Sequence, residues 1–266
     1  MTKSVTDSNG TTHFFEVFDG KIKIGTAMVF VPAAVSIVEA VPMVVYFHGH
    51  NSQDSIEAYI KAMKQRDFRP LLNSKKLVLV EPWGGHMSNF GLIATGRGLT
   101  TLIDSAMFTA ISYGTPSRPC PMQPPPPQSL ILAGFSGGGK ALNAVVNSNS
   151  AYLGRLTEVW AFDCFYSEEG KMWVNWKTAN ADLHLRVRVT TTEGTGSPRR
   201  ENNIILRAMP LPNVDVDDPV SIGHEDCPGK FIPQWWPSPT YDKKWSQFPR
   251  AHGGPETRDE DFPDGR

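Results

Sequence analysis

Residues 129–147 constrain this 266-residue chain more than any other stretch. Ser129–Phe135 (SLILAGF) is an apolar, β-prone run, Ser136-Gly137-Gly138-Gly139 follows at once, and Lys140–Asn147 is helix-compatible. A buried strand that enters a helix through so short a turn belongs to a wound sheet with helices on both faces. The rest of the chain has the same rhythm. His13–Phe18 and Thr26–Val31 read as a leading antiparallel pair with its turn near Asp19-Gly20. Met43–Phe47, Lys76–Glu81, Glu158–Phe162, Leu185–Thr191 and, more weakly, Val214–Val220 read as further strands. Ser55–Arg66, Leu99–Tyr113 and Arg200–Met209 read as helices, and Phe231–Trp236 as a closing one.

Composition removes several function classes. Lys and Arg number 26 and Asp and Glu 27, so no basic field exists to collect phosphates, and nucleic acid is not an expected partner. Val29–Phe47 is interrupted by Pro32, Ser36, Glu39 and Pro42, which excludes a membrane span there. Met1–Gly10 is polar and has no apolar signal core, so a cytoplasmic location is expected. Cys120, Cys164 and Cys227 match neither a metal site nor a disulfide scaffold and read as free thiols. The proline-rich segment Thr115–Gln128 reads as a stiff surface connector. Residues 1–236 are expected to form one α/β domain, and 237–266, rich in Pro, Gly and charge, a tail.

The chemistry centres on Gly134-Phe135-Ser136-Gly137-Gly138, a G-x-S-x-G pentapeptide between strand and helix. A sharp strand-to-helix turn strains the backbone at its serine, and flanking glycines avoid Cβ clashes. The hydroxyl is thereby lifted above the sheet beside a helix N-terminus, which favours a developing anion. A phosphate loop is the competing reading of Gly134–Lys140, but Ala141 stands where the magnesium-binding hydroxyl is required. Acyl transfer also needs two N–H donors for the oxyanion. One is the amide of Gly137. The second falls in Tyr46-Phe47-His48-Gly49-His50-Asn51, from either His50 or Asn51.

The order of HG loop, strand-GFSGG-helix, late acid and late histidine resembles the α/β-hydrolase superfamily over residues 12–236. The resemblance implies a three-layer fold with a mostly parallel eight-stranded sheet and a Ser–His–acid triad in that chain order. It also implies cleavage of small-molecule carboxylic esters through an acyl-enzyme on Ser136, without metal or organic cofactor. A serine peptidase or amidase, and a non-catalytic binding module, are the alternatives on the same scaffold. After Ser136 the histidines are His184, His224 and His252. His184 precedes its strand and sits at the wrong end of the sheet; His224 follows the last strand and is preferred, with His252 second. For the acid, Asp163 ends Glu158–Phe162 in an apolar surround and is preferred to Glu193, which follows the next strand. His48, Gly49, Trp83 and Phe135 are candidates to touch substrate. Trp173 and Trp176 read as core side chains rather than as the lining of a cap.

Overall fold

The computed structural model describes residues 3–36, 39–62, 69–114, 124–166, 169–189, 198–208 and 212–216. Asp217–Val220, Glu193, the closing helix at Phe231–Trp236 and the tail lie outside them. Among the described residues nine strands form one sheet in the order β1-β2-β3-β5-β4-β6-β7-β8-β9. These are β1 Lys3–Asp7, β2 Gly10–Asp19, β3 Ile22–Pro32, β4 Pro42–Phe47, β5 Val78–Pro82, β6 Ser129–Phe135, β7 Leu156–Phe162, β8 His184–Arg188 and β9 Val214–Val216. From β1 to β5 the neighbours run antiparallel, and from β5 through β4 to β9 they run parallel.

Among the described residues the sheet therefore has nine strands rather than the expected eight, and the addition is β1. All five of its residues are exposed, so it carries no apolar alternation to betray it. It is held instead by the ladder to β2, by a 2.7 Å hydrogen bond between Ser4 Oγ and His13 Nδ1, and by an ion pair of Asp7 with Arg69 at 2.8 Å. The helices are α1 Ile56–Ala62, α2 Arg69–Lys75, α3 Gly96–Gly114, α4 Gly139–Val146, α5 Gly170–Ala179 and α6 Pro198–Arg207. Helix α2 has no counterpart in the sequence reading. It is short, and its Pro70 stands in the first turn, where a missing N–H costs no helical hydrogen bond.

Alternation along the strands builds a core on each face. Val17, Val29, Val45, Val80, Leu132, Val159 and Val187 point to one face and meet Leu102 and Ala106 of α3, Leu142 and Val145 of α4 and Trp173 of α5. Phe14, Met28, Val44, Leu79, Ile131 and Trp160 point to the other, against Ile56 of α1 and Leu72 of α2. Trp173 and Trp176 belong to the first core, Trp173 stacking on Phe165 with ring centres 5.0 Å apart. The parallel half thus ends in a common edge where β4, β6 and β7 release His48, Ser136 and Asp163.

Candidate active site

At the end of β6 the backbone leaves the sheet abruptly. Phe135 is extended at φ −123°, and Ser136 has φ +49°, a conformation costly for any residue with a side chain. The glycines around it allow close approach. A Cβ on Gly138 would stand 2.1 Å from the Phe47 carbonyl oxygen, and one on Gly134 would stand 3.0 Å from Cβ of Leu142. The first turn of α4 therefore sits directly on the end of β4. Ser136 is 7% exposed, and its Oγ lies 2.8 Å from the Tyr166 hydroxyl.

The loop after β4 flanks this turn. His48 is completely buried: its Nδ1–H donates to the Gly49 carbonyl at 2.7 Å, and its Nε2 accepts from the Gly84 N–H at 2.9 Å. Burial pushes its pKa down to about 4, which keeps the ring neutral. With the rings of Tyr59 and Trp83 at 4.8 and 4.9 Å, His48 is a strut between two loops. A Cβ on Gly49 would meet Cβ of Ser136 at 2.7 Å, so this position carries backbone past the serine where a side chain has no room. The Asn51 N–H donates to the His86 carbonyl at 3.1 Å. Of the two candidate amides in this loop, Asn51 is thus already engaged. The His50 ring stands over Gly137, 2.6 Å from where a Cβ would be.

Beside the serine a cavity of about 870 Å³ opens to solvent. Its lining includes His50, the loop from Met87 to Gly91, Gly137, Lys140, Ala141, Cys164, Tyr166 and Glu169. The side chains first read as touching substrate are displaced from it. His48 is buried, Trp83 packs on His48 and Tyr59, Phe135 is buried with its ring against Gly49, and Gly49 abuts Ser136. None of the four lines the cavity. They stand at the sheet edge where β6 ends, but the pleat and the loop turn His48 and Phe135 inward.

Asp163 leaves the sheet beside Ser136, because Phe135 pairs with Phe162 in the β6–β7 ladder. Its φ is +50°, its N–H donates to the Arg188 carbonyl at 2.7 Å, and it is wholly buried. His184 opens β8, opposite Glu158 at the start of β7 and so at the far end of the sheet; burial lowers its pKa to about 4. Glu193, His224 and His252 lie outside the described residues. Among the described residues no cluster of three potential metal ligands occurs, and no helix is long and apolar enough to cross a membrane. Sequence reasoning assigned no role in the site to Ser88, and read Tyr166 and Cys164, a buried thiol outside any disulfide, only as apolar surroundings of Asp163. No local pattern marks Ser88 or places the Tyr166 hydroxyl at Ser136.

No protein-family model and no curated protein matches this sequence. Among solved structures it is similar to the S-formylglutathione hydrolase of Agrobacterium tumefaciens, with 13% identity and a TM-score of 0.45, over 81% of this chain and 88% of that one. It is also similar to the acylaminoacyl peptidase of Pyrococcus horikoshii, with 11% identity and a TM-score of 0.46. That match covers 92% of this chain but only 44% of that one. A third is the feruloyl esterase module of Clostridium thermocellum, with 13% identity and a TM-score of 0.43, over 79% and 73% of the two chains. The sheet itself carries the assignment: an antiparallel start, the β5-β4-β6 crossover, a parallel run to β9 and a strained serine between β6 and α4. This chain has the α/β-hydrolase fold.

Proposed function

We propose that this protein hydrolyses small-molecule carboxylic esters through an acyl-enzyme on Ser136. The observation that supports this reading is the left-handed backbone at Ser136, between a strand end and a helix start and next to Gly137, which lines the cavity. Natural chains retain such strain where a side chain must be aimed. In the proposed cycle His224 takes the Ser136 proton as Oγ attacks the ester carbonyl. The Gly137 and His50 amides stabilise the oxyanion. The imidazolium then returns its proton to the departing alcohol, and water repeats the sequence on the acyl-enzyme. Asp163 orients the imidazole. His252 and Glu193 are the second choices for base and acid, and the steps use no metal or organic cofactor.

A fluorophosphonate tests the nucleophile. Wild-type protein is expected to label and Ser136→Ala is not, with 4-nitrophenyl ester hydrolysis falling at least about 10³-fold. Unchanged labelling of the variant would overturn the assignment. Matched esters and anilides then separate ester from amide hydrolysis.

A further inference from the structure

Tyr166 reaches the nucleophile by a built route. The positive φ of Asp163 turns the chain out of β7. The Cys164 carbonyl then lies 2.2 Å from where a Cβ on Gly139 would be, so the segment lies directly against the start of α4. Phe165 is buried and stacked on Trp173. With its two predecessors fixed in this way, Tyr166 places its hydroxyl 2.8 Å from Ser136 Oγ while its ring, 45% exposed, lines the cavity.

We propose that Tyr166 is a catalytic residue whose hydroxyl donates a hydrogen bond to the oxygen of the departing alcohol. This rests on the ester-hydrolase reading above. The residues around the nucleophile supply the direction: His50 stands over Gly137, and Tyr166 lines the same cavity with its hydroxyl at Ser136 Oγ. With the carbonyl oxygen held by the Gly137 and His50 amides, the alkoxy oxygen of the tetrahedral carbon is left to meet the Tyr166 hydroxyl beside Oγ. Once Oγ is bonded to that carbon it becomes a weak acceptor, and the phenol O–H turns to the nearest basic oxygen. The acyl C–O bond breaks, its electron pair goes to the alkoxy oxygen, and the proton comes from the imidazolium. Tyr166 keeps its own proton throughout.

A donor of this kind matters most when the leaving oxygen is strongly basic. Tyr166→Phe is therefore expected to lower kcat/KM for an ethyl ester about ten- to hundredfold, but that for the 4-nitrophenyl ester of the same acid less than about threefold. Fluorophosphonate labelling of Ser136 in that variant should stay near the wild-type rate. Equal losses for the two esters, or no loss for either, would overturn the role of Tyr166. Wild type that fails to label at Ser136 would instead remove the hydrolase reading itself. Should Tyr166→Phe not fold, 3,5-difluorotyrosine at position 166 keeps ring and hydroxyl. Its ethyl ester activity is then expected to fall as the more acidic phenol ionises near neutral pH, and a profile matching wild type would overturn the proposal.

Discussion

Glu81 shows how far one side chain's behaviour departs from its letter. It lies in β5 opposite Met28 of β3, buried, with the Tyr59 hydroxyl donating to it. Among the described residues its Oε1 has no hydrogen-bond partner. Burial raises its pKa from 4.5 to about 8, so near neutral pH the folded chain holds a proton that the unfolded chain has released. Stability from this group is therefore full below pH 4.5 and is lost as pH rises towards 8, by up to about 1.4 kcal/mol per unit. Glu81→Gln removes the titration while keeping the shape. Its stability relative to wild type, from urea denaturation, should increase between pH 5 and pH 8; a constant difference would refute the buried neutral acid. The sequence shows only an acid ending an apolar strand. His48 draws notice in the sequence by its place after β4, yet its role as a strut depends on Gly84, thirty-six residues away.

At the scale of elements, β6, the turn and α4 were legible because their causes are local. The apolar run forms β6 with the bounds expected, Ser129–Phe135, and α4 starts one residue before its expected position. What the turn demands of Gly138 is set by β4. A Cβ there collides with the Phe47 backbone, which cannot swing aside as a side chain can. Gly138→Ala is expected to lower stability by about 2 kcal/mol or more, read as a lower melting temperature, and to slow fluorophosphonate labelling of Ser136. An alanine variant with wild-type melting and labelling would show that α4 is free to shift. Strand β1 and helix α2 went unread for a different reason. A strand exposed on both faces and a seven-residue helix place too few apolar residues in register to leave a pattern.

Across the whole molecule the two faces of the sheet are filled differently. The face away from α3 buries Glu158 of β7 and Arg186 of β8, paired at 2.9 Å, with Trp160 Nε1 donating to the same carboxylate at 2.8 Å. Asp215 of β9 stands opposite Arg186 in the ladder. The polar alternation of β8 suggests a wet face; the structure closes that face and makes the charges depend on one another. Burial raises the Glu158 pKa more than the Arg186 charge lowers it. Arg186→Met should cost about 3–5 kcal/mol in chemical denaturation, and adding Glu158→Leu should recover much of that loss. If the double variant is no better than the single, the pair is not what holds this face.

By itself the sequence determined the alternation of strand and helix, the parallel sheet and the corner that raises Ser136. Period-two burial, glycine-permitted turns and helix compatibility are short-range properties. Tertiary structure alone decided which side chains reach the cavity: it turned His48 inward, engaged the Asn51 amide and brought Tyr166 to Ser136 across thirty residues. Those outcomes depend on the register of neighbouring strands and on the direction in which each loop leaves the sheet, and no local stretch of sequence encodes either.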